Sequence, residues 1–302
     1  MRSSILVLVL ASTLARAGEP VAAAGLAAAD ASQAQPDGGV PPATPETTVV
    51  GARDVTENAP VGSYQQPKWT DRRRFPGVRL YVAPAGAATF EVWGEVKVDS
   101  AGSPARLRTM YELSFGLGYR FQVDLYLRTQ SDGADVMRIE SERLELRWAL
   151  ADWGVIPGNP TLYLEYLRQT EGAHRLEGKL LLGGNVSPRL FWGVNLFFES
   201  ELWGADEAHE YGVVAGLAWS VIDSVLSLGA ETRLELVDTR ATRFQPIELE
   251  WLIGPSLSWR PIPQAHLLFT AYLGPGFSRA AASDPYTGRF VFQPTLVGGW
   301  RF

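Results

Sequence analysis

The chain has 302 residues, a mean hydropathy of -0.03, a net charge of -6 and no cysteine. The near-neutral hydropathy excludes a bundle of membrane-spanning helices, because each such helix needs about 20 consecutive apolar residues. The lack of cysteine excludes disulfides, thiol nucleophiles and cysteine-ligated metals. The acidic balance argues against nucleic acid as a partner.

Residues 1–17 have the layout of a secretory signal peptide. A short apolar run, residues 5–11, follows Arg2, and the small-x-small triplet Ala15-Arg16-Ala17 comes next. The apolar run is too short to span a bilayer, and the triplet is typical of a cleavage site. We therefore expect cleavage after Ala17 and export of the chain.

Residues 18–87 are rich in Ala, Pro, Gly and Thr and contain little bulky apolar surface. Such a composition cannot offset the entropy of ordering the chain and predicts a disordered tail. The tail carries a basic cluster, Arg72, Arg73 and Arg74. These arginines either lie against anionic lipid head groups or are solvated in the linker.

From residue 88 onward, apolar and polar residues alternate with a period of two. For example, Trp192, Val194 and Leu196 fall on one face of such a segment, and Asn195 falls on the other face. This alternation predicts β-strands with two unlike faces. Twelve strands are predicted near residues 88–98, 107–117, 120–129, 136–150, 160–170, 174–185, 190–201, 209–219, 224–237, 246–259, 265–277 and 289–302.

An even number of long strands predicts an all-β fold, a closed antiparallel barrel of about 12 strands. A soluble barrel has its apolar face inside, whereas a transmembrane barrel has its apolar face outside. The predicted strands exceed the typical length of about 5 to 6 residues in soluble sheets, which favours the transmembrane barrel. Aromatic residues cluster at one predicted end, as is typical of a membrane interface. They are Trp148, Trp153, Trp192, Trp219, Trp259, Trp300 and Phe302.

The last predicted strand ends in Trp300-Arg301-Phe302. It resembles the C-terminal signal by which the barrel assembly machinery recognises bacterial outer-membrane β-barrels. Residues 64–75 and 151–163 are similar to segments of uncharacterised, porin-like proteobacterial outer-membrane proteins. The resemblance implies location in the outer membrane of a Gram-negative bacterium, with outer-membrane lipid and the assembly machinery as partners and the N-terminal tail in the periplasm.

In a transmembrane barrel the charged side chains of the strands line the lumen. A barrel of eight strands has an interior filled by side chains, and a barrel of sixteen strands has an aqueous channel. A barrel of twelve strands is intermediate between these two. The barrel is therefore either a narrow, weakly cation-preferring or zwitterion-accepting channel for small polar solutes, or a closed structural barrel held by internal salt bridges. The predicted lumen-lining residues are Glu91, Glu95, Lys97, Glu112, Asp124, Arg128, Arg143, Glu145, Arg147, Glu165, Glu177, Lys179, Glu231, Arg233, Glu235, Glu248 and Glu250.

The tail suggests a further partner. Residues 47–52, which start at Thr47 and end at Ala52, resemble the TonB box of energy-coupled outer-membrane receptors, which binds TonB by strand addition. The alternative is a chance β-prone run in a linker. In an extended conformation the tail is long enough to thread a lumen with an apolar band about 25 Å tall.

A lipid hydrolase is the remaining alternative. Ser200 and His209 are predicted to lie opposite one another on neighbouring strands at one rim, with Glu201, Glu207 or Glu210 nearby. A nucleophile, a base and an orienting acid within hydrogen-bond reach could support catalysis, although rim serines and histidines are usually only solvated. No nucleotide-binding or metal-binding motif is present in the sequence, so neither a cofactor nor a metal is expected.

Overall fold

The computed structural model describes residues 55–133, 135–203 and 207–302. The predicted signal peptide, residues 18–54 of the predicted tail and the TonB-box-like run lie outside the described residues. Among the described residues, no helix is long and apolar enough to cross a bilayer. Three short 3-10 helices are described, Thr56–Asn58, Lys68–Thr70 and Arg240–Thr242.

Fourteen β-strands are described. Two short ones come first, β1 (Pro60–Val61) and β2 (Gln66–Pro67). The remaining twelve are β3 (Ala88–Asp99), β4 (Arg106–Gly116), β5 (Phe121–Asp132), β6 (Arg138–Ala149), β7 (Thr161–Gln169), β8 (Arg175–Ser187), β9 (Leu190–Glu201), β10 (Ala208–Ile222), β11 (Leu226–Thr239), β12 (Glu248–Trp259), β13 (Ala265–Ser278) and β14 (Thr287–Arg301).

Strands β3 to β14 form one closed antiparallel barrel in which each strand pairs with its neighbour in the chain. The barrel closes between β14 and β3, where Trp300 pairs with Phe90. The predicted twelve-stranded barrel is confirmed. The two ends of the barrel are called here the terminal rim, where β3 begins and β14 ends, and the opposite rim.

The apolar side chains of the strands face outward. Leu125 and Leu144 are 45% and 50% exposed, whereas Asp124 and Glu145, their neighbours in the chain, are 0% exposed. A continuous exposed apolar surface of this kind is unfavourable in water and suits lipid. The arrangement is therefore that of the transmembrane alternative, with the charged side chains inside.

Residues 55–87, called here the plug, lie inside the barrel. Trp69, Phe75 and Val82 are fully buried, and Trp69 and Phe75 form a cluster with Phe191 of β9. The disordered tail predicted up to residue 87 is therefore wrong for this part of the chain. The prediction failed because the plug's order comes from contacts with the barrel wall and not from secondary structure of its own, which is limited to β1, β2 and two helical turns.

Candidate functional site: the plugged lumen

The plug begins at the terminal rim, where its first residues are fixed to two turns between strands. The Asp223 carboxylate accepts hydrogen bonds from the Thr56 backbone N–H at 2.8 Å and from the Thr56 hydroxyl at 2.5 Å. The Asn58 amide donates to the Pro188 carbonyl at 2.8 Å. Glu57 is buried and pairs with Arg74 at 2.6 Å. The start of the plug is thus tied both to the rim and to its own interior.

Two plug arginines pair with carboxylates of the wall. Arg73 lies 3.0 Å from Glu91 and 3.1 Å from Glu112, and Arg79 lies 2.9 Å from Glu112. Buried carboxylates are costly unless paired, so these arginines stabilise the wall as well as the plug. The Glu91 carboxylate also lies 3.0 Å from Nε2 of His266.

The basic cluster therefore belongs to the lumen. Arg72 and Arg74 are buried, and Arg73 makes the buried ion pairs described above. Neither of the predicted environments for these arginines, anionic lipid or a solvated linker, is correct. Their sequence position gave no indication of this, because their acidic partners Glu91 and Glu112 lie on strands further along the chain.

Apolar plug residues occupy space that glycines leave on the inner wall. A β-carbon added at Gly216 would lie 2.9 Å from the ring of Phe75. One added at Gly193 would lie 2.5 Å from Leu80 and 2.7 Å from Val78. The inner wall is therefore shaped to admit the plug.

Most of the predicted interface aromatics lie on the outer surface near the terminal rim. Trp148, Trp219, Trp259 and Trp300 are partly exposed there, as is Phe302, while Trp192 is less exposed. Trp153 is an exception to the predicted interface set. Its ring contacts Trp69 and Tyr81 of the plug edge to face, with ring centroids 5.5 and 5.3 Å away. Its backbone N–H donates to the Tyr64 carbonyl. The connection between β6 and β7 thus turns inward against the plug.

A cavity of about 590 Å³, called here the vestibule, lies on the other side of the plug. Pro76, Gly77 and Arg79 of the plug line it, and so do Arg106 and Ala208, which begin β4 and β10 at the opposite rim. The lumen is therefore divided into a wide pocket reaching the opposite rim and a region filled by the plug. The predicted narrowing of the lumen comes from the plug as well as from the wall.

The predicted lumen-lining residues fall into two groups. The vestibule is lined by Glu95, Lys97, Arg128, Arg143, Glu165, Glu177, Lys179, Arg233, Glu235 and Glu248. The others make inner-wall ion pairs or contact the plug: Glu91, Glu112, Asp124, Glu145, Arg147, Glu231 and Glu250. In the second group, Glu231 accepts hydrogen bonds from the backbone N–H groups of Gly77 and Val78 at 2.7 and 3.1 Å.

The two signs of charge are partly separated around the vestibule. Strands β3 to β6 contribute mainly cations, and strands β7 to β12 contribute mainly carboxylates. The cations on the first arc are Lys97, Arg106, Arg108, Arg128 and Arg143, with Glu95 and Glu140 among them. The carboxylates on the second arc are Glu165, Glu177, Glu199, Glu210, Glu235 and Glu248, with Arg175, Lys179 and Arg233 among them.

Ser200 and His209 do meet at the opposite rim. They are paired across β9 and β10, and the Ser200 hydroxyl lies 3.0 Å from Nδ1 of His209. No carboxylate among the described residues contacts the histidine. Glu201 pairs with Arg175, Glu207 pairs with Arg240, and Glu210 lines the vestibule. The structure thus brings Ser200 and His209 together on the outer face without placing a carboxylate of the described residues against the histidine.

Sequence reasoning missed the plug as a functional element. One signal was available, since Trp69, Phe75 and Tyr81 are large aromatic residues in a segment otherwise poor in them. The excess of carboxylates predicted for the lumen was a second signal, because buried carboxylates need cations that the strands alone do not supply. Arg73 and Arg79 are those cations.

Comparisons with known proteins support the fold. No protein-family model and no curated protein matches the chain. Among solved structures, the COG4313 outer membrane channel from Pseudomonas putida F1 is similar with a TM-score of 0.51 and 11% identity, over 76% of this chain and 100% of that one. The NanC porin has a TM-score of 0.44 and 12% identity, over 68% and 98% of the two chains. The outer membrane channel DcaP of Acinetobacter baumannii has a TM-score of 0.39 and 9% identity, over 74% and 99%. The similarity to the Pseudomonas putida structure supports the assignment of the fold as an outer-membrane β-barrel.

Proposed function

We propose that the chain is an outer-membrane channel for small polar solutes, in which solutes cross only when the plug leaves the terminal-rim half of the lumen. The observation that carries the proposal is the position of the plug, which fills the lumen beneath a charged vestibule. A barrel with a purely structural role has no need of a polar pocket of about 590 Å³. The similar fold of the Pseudomonas putida structure, which is described as an outer membrane channel, supports the same function.

The proposed location is the outer membrane of a Gram-negative bacterium, with the terminal rim at the periplasm. The outward apolar surface and the partly exposed tryptophans near that rim support it. In this orientation the vestibule faces the outside of the cell, and Val55, where the plug begins, lies at the periplasmic side. We also propose that the barrel assembly machinery recognises the chain through its C-terminal strand, β14.

Weakening the plug's ion pairs tests the function. In the double variant Arg73→Gln/Arg79→Gln the docked plug leaves Glu91 and Glu112 without these partners, whereas an open lumen hydrates them. Removing one side of a buried ion pair costs about 3 to 5 kcal/mol, so we expect the time spent conducting in planar bilayers to rise by at least about tenfold.

The matched control removes two arginines that do not contact the plug. Arg138 and Arg168 lie near the opposite rim, with 63% and 61% of their side chains exposed. The variant Arg138→Gln/Arg168→Gln should conduct like the unmodified chain. Equal conductance of the two double variants, or no conductance of either, would argue against a plugged channel.

Energy-coupled removal of the plug by TonB is the second candidate function. The plug starts at Val55, only a few residues after the TonB-box-like run at residues 47–52. A pull on that run would act first on the contacts of Thr56 and Asn58 with the terminal rim. Strand addition needs backbone N–H groups that donate to the partner strand, and proline has none. Val49→Pro should therefore abolish retention of the chain by the purified C-terminal domain of TonB. Equal retention of the variant and the unmodified chain would remove this candidate.

A further inference from the structure

The wall of the vestibule contains a row of four side chains, two of which are hydrogen-bond donors without acceptors among the described residues. On neighbouring strands β3 to β6, Trp93 pairs with Met110, Met110 pairs with Arg128, and Arg128 pairs with Ser141. All four residues line the vestibule. The Ser141 side chain is buried, with 1% of the residue exposed, and its hydroxyl has no hydrogen-bond partner in the described part of the chain. The indole N–H of Trp93 is also without a partner there.

The guanidinium of Arg128 lies between these two donors in the row. Its ion pair with the Glu140 carboxylate is long, with 3.4 Å between Nε and the nearest oxygen. Buried donors without acceptors are unfavourable, so a site with two of them beside a weakly paired guanidinium suits a ligand that brings oxygen acceptors. A carboxylate has the matching charge and can accept from the guanidinium and from a neighbouring donor together.

The second arc carries carboxylates in register. Glu177 pairs with Glu199, and Glu199 pairs with Glu210, on β8, β9 and β10. Like charges directly opposite one another in a sheet are destabilising, so this row of three carboxylates destabilises the barrel unless cations compensate it. Lys179 and Arg175 compensate Glu177 and Glu199 at 2.9 and 2.6 Å.

Glu210 has no such compensation. It makes no ion pair with any of the residues that the structure describes, and it lines the vestibule with Glu235, whose nearest cation is Arg233 at 3.5 Å. In the ring of twelve strands, β10 and β11 lie five and six places from β5, which carries Arg128. The least compensated carboxylates therefore lie across the lumen from the donor row.

We propose that the vestibule binds solutes that carry an ammonium group and a carboxylate at separate ends, such as short peptides. The solute carboxylate lies at Arg128, Ser141 and Trp93, and the ammonium group lies at Glu210 and Glu235. The inference rests on the proposed channel function, since it names the class of solute that enters the channel. It goes further in assigning one wall of the vestibule to each charge.

Three peptides of equal length test the two walls separately. Triglycine carries both charges, N-acetyltriglycine only the carboxylate, and triglycine amide only the ammonium group. We expect isothermal titration of the full chain in detergent to give triglycine an affinity about tenfold or more above that of each capped peptide. The basis is that each capped peptide lacks one of the two charged groups that the walls would bind. Equal affinities for the three peptides, or no binding of triglycine, would overturn the inference.

Variants of the two walls should separate the two charges. Arg128→Gln is expected to lower the affinity for triglycine and N-acetyltriglycine and to leave triglycine amide unchanged. Glu210→Gln is expected to lower the affinity for triglycine and triglycine amide only. Ser141→Ala, a small change, provides a second variant of the donor wall should Arg128→Gln not fold, and Arg168→Gln on the outer face is the control. Identical losses for all three peptides in either wall variant would contradict the assignment.

Failure of the inference can be distinguished from failure of the proposed channel function. Binding is measured without conduction, whereas the plug variants are measured by conduction alone. Conduction that responds to the plug, combined with no binding of triglycine, would overturn the inference and leave the function standing. Binding of triglycine with no conduction in any variant would support the inference and overturn the function.

Discussion

At the scale of single residues, the plug is held by a few polar contacts whose partners are far apart in sequence. Arg73 reaches Glu91 and Glu112 on the wall, and Thr56 reaches Asp223 at the terminal rim. Each contact joins a group that cannot remain buried alone to the partner that satisfies it. The plug therefore has one favoured position in the lumen and is not a loosely collapsed tail.

The contact between Thr56 and Asp223 is predicted to weaken in acid. Partial burial alone would raise the pKa of the Asp223 carboxyl, but hydrogen bonds from Thr56 and Glu57 outweigh it and hold this pKa below its usual range. A carboxyl with a lowered pKa in the folded state contributes stability above its unfolded pKa and loses it as the pH falls through the folded pKa. The anchor should thus be intact near neutral pH and lost well below about pH 4.

Hydrogen exchange measures this anchor directly. The backbone N–H groups of Thr56 and Glu57 donate to Asp223, so they should exchange more slowly in the unmodified chain than in Asp223→Asn at neutral pH. We expect the difference between the two proteins to vanish as the pH falls through the folded pKa of Asp223, which lies below the usual aspartate value of about 3.9. A difference that is independent of pH would show that the carboxylate charge does not fix the start of the plug.

At the scale of elements, the strands and the plug differ in how far their own sequence determines them. The strands carry their two-residue alternation locally, as in Leu144, Glu145 and Leu146, and their predicted bounds agree with the structure within about three residues, as such readings allow. The plug has no comparable period. Its fold depends on Trp69 meeting Phe191 and Asn185, more than a hundred residues away in the chain. Local patterns therefore predicted the barrel but could not predict what fills it.

The fit of the plug into the barrel predicts the effect of a larger residue at Gly216. In Gly216→Val the new side chain would occupy the position of the buried Phe75 ring, and overpacking of this kind costs about 1 to 3 kcal/mol. The cost falls on the docked plug, because valine suits a β-strand. We expect hydrogen exchange in residues 68–82 to accelerate by about fivefold or more while β10 stays protected.

Gly94 provides the matched control for that substitution. It lies on β3, and a β-carbon added there would have no atom within 4 Å. Gly94→Val should leave exchange of the plug unchanged. Equal acceleration in the two variants, or none in Gly216→Val, would mean that the plug does not depend on the space left at Gly216.

At the scale of the whole molecule, the barrel, the plug and the vestibule form one arrangement of charge. The wall supplies more carboxylates than cations, the plug supplies Arg73 and Arg79, and the vestibule keeps Glu210 and Arg128 facing the lumen. The sequence predicted the charged lumen and left its contents undecided, because ion pairs across a closed barrel depend on which strands face each other. In the proposed channel the solute pocket is formed, but the passage is closed by the N-terminal plug.

Locking the plug in place tests that account most directly. The Thr56 and Ser224 hydroxyl oxygens lie 3.2 Å apart, and the chain has no cysteine of its own, so Thr56→Cys/Ser224→Cys can form a single reversible bond between plug and rim. The lock would be introduced into the loosened variant Arg73→Gln/Arg79→Gln and recorded as single channels in planar bilayers. The account predicts little or no conductance while the disulfide is present and conductance steps after a reductant is added. Equal conductance before and after reduction would contradict it.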